Sequence, residues 1–254
     1  WSTFKDEVFL QFFSQILTAE TFQSRIIITS QEVPNQLLSA GSRYGNFWDT
    51  QLLTGLSASE QLVLFEKTRL ETGPESAGTN YLVRIGQAYE GHPLALRVIA
   101  GEIGSRPFFG DVISYWHRYR PEIEAVEEAI AAAEAGQAVG GEDKWRLDRF
   151  TRTLRRNVRH RLEQTFQRLR QDVKFAYILL CEASVYRCAV PEDWWLSHLE
   201  YWDCEVEFRE LALEALRDRF LVEDAIAEGE YTLRQHNLIR SVALEHLKGL
   251  NQIS

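Results

Sequence analysis

Phe220-Leu221-Val222-Glu223-Asp224-Ala225-Ile226-Ala227-Glu228-Gly229-Glu230-Tyr231-Thr232-Leu233-Arg234 decides the fold of the C-terminal part of this chain. Phe220 to Glu223 and Tyr231 to Arg234 are short runs with β-forming residues, and Gly229 between them permits a chain reversal, so the stretch reads as a β-hairpin. Working outward, apolar residues recur at helical spacing over Lys174 to Tyr186, Pro191 to Trp202 and Glu205 to Arg219 before the hairpin, and over His236 to Leu247 after it. Three helices, a hairpin and a closing helix make a winged-helix unit.

The 254 residues hold 37 Asp and Glu against 28 Lys and Arg, a formal charge of −9, and 45% are hydrophobic. Such a chain can build one to three compact units, each with its own core, and general disorder is excluded. No apolar run approaches the roughly 20 residues of a spanning helix. Nor does the start, Trp1-Ser2-Thr3-Phe4-Lys5-Asp6, have the pattern of a secretory signal. The expectation is a cytoplasmic protein with no membrane partner. Cys181, Cys188 and Cys204 are odd in number and form no CxxC pair, so they supply neither a disulfide framework nor a four-thiolate zinc site. Methionine is absent even at position 1, so the chain reads as a fragment. The other reading is that methionines are missing from the chain as written, which leaves local spacings open by one.

Upstream of the hairpin region the chain reads as follows. Val8, Phe9, Phe12, Phe13, Ile16 and Leu17 share one helical face. Three consecutive β-branched residues, Ile26-Ile27-Ile28, predict a strand over 25–30 buried on both sides in a parallel sheet, whose partners lie outside this chain or upstream of it. Ser57-Ala58-Ser59-Glu60 fits a capping box opening a helix to about Leu70. Tyr81 to Tyr89 predicts another helix, closed by Gly91, and Pro93 stands at the first turn of a third, through Ile103. Residues 121–143 hold acids, alanines and Gly140-Gly141 but no Lys or Arg, and are read as a linker. From Lys144 to Arg170 the sign reverses, yet Leu147, Phe150, Leu154, Val158, Leu162, Phe166 and Leu169 keep an apolar stripe, which makes the arginines the outer face of a packed helix or helix pair. The acidic and basic segments are expected to pair within the molecule.

Three segments, in order, resemble the NB-ARC region of the STAND class of P-loop ATPases, in its bacterial form. Ser24-Arg25-Ile26-Ile27-Ile28-Thr29-Ser30-Gln31 looks like its sensor strand, Gly91-His92-Pro93-Leu94-Ala95-Leu96 like its Gly-Leu-Pro-Leu-Ala-Leu motif, and Gln235-His236-Asn237-Leu238 like its Met-His-Asp-Leu motif. Leu53-Thr54-Gly55-Leu56-Ser57 with Ala58 through Phe65 is similar to the stretch that enters the family's helical domain. The resemblance implies a mainly α chain: a remnant of a parallel α/β nucleotide-binding domain over 1–50, a helical bundle domain over 51–120, the acidic linker over 121–143, and a basic helix with a winged-helix domain over 144–254. It implies a regulatory lid and oligomerisation segment of a switch that closes over ADP and opens on exchange for ATP. Thr29, Ser30, Pro93, Leu94 and His236 are the nucleotide-contacting residues it implies. The implied partners are an upstream P-loop subdomain, downstream sensor repeats of the same protein, and further copies in a homo-oligomer.

The chain departs from that pattern. It has no Gly-x-x-x-x-Gly-Lys-Ser/Thr and no strand ending in paired carboxylates, so ADP or ATP with Mg is expected only when the missing upstream part is present. Gln31 replaces the sensor arginine and Asn237 the motif aspartate. No local signature of a catalytic triad or a metal site occurs, so no catalytic residue and no metal ligand is assigned. The reading of another class is a winged-helix DNA-binding transcriptional regulator. Against it, the third helix and wing hold more acids than arginines and would repel phosphates.

Overall fold

The structure, a computed structural model, describes residues 7–18, 25–29, 49, 51, 53–135, 143–227 and 229–250; for 133–135, 143–153 and 227 it describes the backbone alone. The chain divides into two compact units, Trp1–Leu53 and Thr54–Ser254. In the first, helix α1 spans Glu7–Thr18, with none of its residues buried. Residues 25–29 form no strand here, and Ile26, Ile27 and Ile28 are exposed, Ile27 to 90%; the strand expected over 25–30 is one that pairs with strands outside this chain or upstream of it. A strand exists only through the ladder it shares with a neighbour, and no neighbouring strand is present among the described residues of this unit. Ser30 and Gln31 lie outside the described residues.

The second unit is mainly helical with one small sheet. Helix α2 (Ala58–Lys67) opens with the expected capping box: the Glu60 backbone N–H donates to Ser57 Oγ at 3.4 Å, and the Ser57 N–H donates back to Glu60 Oε2 at 2.8 Å. Helices α3 (Thr79–Ala88), α4 (Pro93–Gly104) and α5 (Val112–Ala135) follow. Phe65, Leu82, Ile85, Leu96, Ile99, Ile103, Tyr115 and Trp116 form a common core between them. Each such side chain contributes about 1.5–3 kcal/mol of burial free energy.

Helix α5 replaces the expected linker over most of its length and runs through Pro121. An interior proline costs a helix about 3 kcal/mol. Offsetting it, alanine and glutamate are strong helix formers, and Glu124 and Glu127 bond to Arg84, with Glu124 also taking Arg120 at 2.7 Å. Residues 136–142 lie outside the described residues. The basic segment is one helix, α6 (Asp143–Asp172).

Pairing between acids and bases is internal, as expected, but its hub is Glu102 of α4, which the sequence reading did not single out. Glu102 is buried and takes bonds from Arg161, from Arg168 at 2.7 Å, from Thr165 at 2.5 Å and from Tyr115 at 3.2 Å, while Glu122 of α5 also meets both arginines. Burial pushes the Glu102 carboxyl up, and the two guanidiniums together with the bonds from Thr165 and Tyr115 outweigh it and hold it below the usual carboxylate value.

The remaining elements are α7 (Lys174–Glu182), β1 (Val190–Pro191), α8 (Glu192–Ser197), α9 (Val206–Asp218), β2 (Glu223–Ala227), β3 (Glu230–Arg234) and α10 (Asn237–Leu250). The sheet order is β1-β3-β2 and both pairings are antiparallel, with Val190 opposite Leu233 and Glu223 opposite Arg234. The expected hairpin is therefore present, but its first strand is Glu223–Ala227 and not Phe220–Glu223, since Phe220 to Val222 form the turn out of α9. Trp195, Leu180, Leu216, Leu233, Ile239 and Val242 fill the core beneath it, and Leu94 and Val98 of α4 join them. Leu238 of α10 packs against both cores, so the starts of α4 and α10 are brought together.

Candidate functional site

The turn into α4 is tightly specified. Glu90 and Gly91 both have positive φ, at 50° and 66°, and a Cβ on Gly91 would lie 2.2 Å from the Leu56 carbonyl. Glycine is required there by both conformation and space. The Leu56 N–H donates to the Gly91 carbonyl at 2.9 Å, which ties the entry of α2 to the entry of α4. His92 then caps α4: the Ala95 backbone N–H donates to His92 Nδ1 at 3.5 Å. Pro93 is the first helical residue and is exposed. Leu94 points the other way and is buried in the core beneath the sheet, so its side chain anchors α4 and is not free for a ligand.

His236 occupies the equivalent place at the start of α10. The Leu238 backbone N–H donates to its Nδ1 at 3.2 Å, while Gln235 beside it donates to the Leu180 carbonyl at 2.6 Å and fixes the approach. Both histidines therefore accept through Nδ1, which in a neutral ring leaves the proton on Nε2. Burial lowers the His92 pKa, and the charge of His236 lowers it further; burial likewise lowers that of His236, Glu223 opposes this, and Arg234 and Arg97 add to it. At neutral pH the pair presents two N–H donors and no net charge. Arg97, one turn into α4 from Pro93, adds a cation: its guanidinium lies 5.1 Å from the ring centroid of Phe220.

The structure thus brings Pro93 and His236 to neighbouring helix starts and assigns Leu94 to the core. Thr29 is exposed and belongs to the first unit, and Ser30 is outside the described residues. Sequence reasoning missed three functional candidates: His92, Arg97 and Phe220. The signal for Arg97 was present, since position i+4 from Pro93 shares its helical face.

Elsewhere, burial pushes the Cys181 thiol up to about 12 and raises that of Cys204, so neither is a ready thiolate. Among the described residues, no three His, Cys, Asp or Glu are grouped to hold a metal, and no helix is long and apolar enough to cross a membrane. Compared with models of known protein families and with curated protein sequences, the chain matches none.

Proposed function

We propose that this chain is the regulatory lid and oligomerisation segment of a STAND-class switch, closing over ADP and opening on exchange for ATP. The observation that carries the reading is the meeting of His92-Pro93 with His236, segments far apart in sequence, at two adjacent helix starts with both Nε2–H groups free of the capping bonds. A helix start already favours anions, and two neutral N–H donors fit the rim of a phosphate group. Pro93 adds a rigid apolar face for a base. The order helix, strand, helix, helix, hairpin from α7 to β3 supports a winged-helix domain, and α2 to α5 a helical bundle domain.

The residues present fit a rim and not a cradle, because the chain has no P-loop. ADP or ATP with Mg is therefore bound together with an upstream P-loop subdomain, and downstream sensor repeats and further copies of the protein complete the assembly. In this arrangement His236 and Pro93 touch one nucleotide only when the lid is closed. A ligand that contacts both shifts the population toward the closed state by its differential affinity.

The DNA-binding reading is disfavoured by one arrangement. On α9, Glu207, Glu210, Glu214 and Asp218 face solvent, while Arg209 is held by Glu200 and the Cys204 carbonyl, and Arg217 by Glu192 and Asp224. The arginines are occupied and the acids are outward, the reverse of a phosphate-reading surface.

Calorimetry of the chain alone with ADP tests the lid model. Expected is no binding tighter than about millimolar, since charge-assisted bonds from a cradle supply most of a nucleotide's affinity. Micromolar binding by the isolated chain would place a complete nucleotide site within these residues and overturn the lid.

A further inference from the structure

Beside the histidine junction, but lined by neither histidine nor by Pro93, a cleft of about 580 Å³ opens between α2, α4 and the turn from α9 to β2. Its volume lies within the range of small-molecule sites, about 300–1,000 Å³. Leu56, Val63, Leu64 and Phe220 give it apolar walls, and Lys67 and Arg97 sit among them.

Two independent features mark this cleft. The first is the Phe220 wall. Phe220 has φ +53°, a left-handed conformation that a bulky aromatic adopts only when its surroundings hold it there. Here the Phe220 N–H donates to the Arg217 carbonyl and the Leu221 N–H to the Leu216 carbonyl, each at 2.9 Å. The neighbouring Arg219 backbone is pressed onto α4 at Gly101, where an added Cβ would lie 2.6 Å from Arg219 Cα. The ring is a fixed plate, with the Arg97 guanidinium over it.

The second feature is charge. Among the described residues neither Lys67 nor Arg97 has a carboxylate partner. The acid lining the cleft, Glu60, is committed to the Ser57 N–H at 2.8 Å and the Ser57 hydroxyl at 2.7 Å. Two cations against one carboxylate leave a positive charge over in a mostly apolar recess.

We propose that this cleft binds an amphipathic organic monoanion: a flat apolar body seated against Val63, Leu64 and the Phe220 ring, with one carboxylate or sulfonate held by Arg97 and Lys67. An apolar body alone would leave the two cations uncompensated, and a bare inorganic anion would leave the apolar walls wet. A ligand carrying both parts satisfies both.

The test is fluorescence titration of the chain with 1-anilinonaphthalene-8-sulfonate, a flat aromatic body bearing one sulfonate, and with N-phenyl-1-naphthylamine, the same body without the charge. Expected is saturable binding at one site per chain, about ten-fold tighter for the sulfonate than for the neutral compound. Arg97→Gln should weaken the sulfonate about ten-fold, and Lys67→Gln, at an exposed position, by a few-fold. Val63→Trp fills the cleft from its exposed side with both charges intact and should abolish binding of either compound. If Arg97→Gln proves unfolded by circular dichroism, the other two variants decide. Binding that is unchanged in Lys67→Gln and Val63→Trp, that does not saturate, or that is equal for the two compounds would put the probe on another apolar surface and overturn the proposal.

Discussion

At its C-terminal end α4 meets α5 and α6 through Glu102, whose buried carboxylate is surrounded by two arginines, a threonine and a tyrosine. At its N-terminal end the same helix meets α10 through Leu94 in the core and His92 at the surface, where the imidazole of His236 lies near enough to affect its charge. In the first region the carboxylate and nearly every donor have their partners inside the fold, Arg161 Nε being the buried exception. In the second region Arg97 has no carboxylate partner among the described residues, and each histidine keeps a donor beyond its capping bond. A saturated polar cluster fixes geometry; an unsaturated one beside a proline face and a helix start is equipped to meet something else.

The largest effect is expected at the saturated end. Glu102→Leu leaves Arg161, 1% exposed, as a buried cation without its main partner, and such one-sided removal costs about 3–5 kcal/mol. The paired change Glu102→Leu with Arg161→Met should be much milder, because no charge is left stranded. Urea denaturation of both variants checks this. A loss below about 1 kcal/mol for Glu102→Leu would mean the cluster does not lock α4 to α6 and would erase the comparison.

A smaller effect is expected from protons at the other end. The folded-state pKa values of His92 and His236 both lie below the usual histidine value, so the unfolded chain binds more protons as pH falls below about 6.5. Stability is therefore complete above that value and declines as pH drops from about 6.5 toward the depressed folded pKa values. His198, lowered by burial, adds to the same slope in the wild type, so the comparison uses His92→Asn/His236→Asn. Thermal midpoints from about pH 5 to 7 should fall less steeply in the double variant. Parallel curves would show that neither ring carries a depressed pKa.

These two regions differed in how far the sequence revealed them. The unsaturated end was legible because its cues are local: a glycine forced into positive φ, a proline at the first turn, and a hairpin followed by a histidine at a helix start. Glu102 was hidden because it interrupts an apolar helix, Val98-Ile99-Ala100-Gly101-Glu102-Ile103, and its arginines come 59 and 66 residues later. Nothing local distinguishes a buried hub from an exposed acid. Residues 121–143 were read as a linker from their acids and Gly140-Gly141, while the bonds from Arg84 that help hold α5 come from α3 and are not local. The isoleucines at 26–28 were read as a buried strand whose partners lie outside this chain or upstream of it, and a strand is a property of a pair.

Whether His236 belongs to a nucleotide lid is tested most directly by the dissociation constant for ADP, compared between wild type and His236→Ala, of a protein that joins this chain to the upstream P-loop subdomain the proposal requires. A hydrogen bond to a phosphate made in the closed state is worth about 1–3 kcal/mol, so ADP should bind about five-fold to over a hundred-fold more weakly in the variant. A ligand of the open state should bind as before or better. Unchanged ADP affinity in a folded His236→Ala protein would leave this histidine as a helix-start residue with no part in a switch and would contradict the lid.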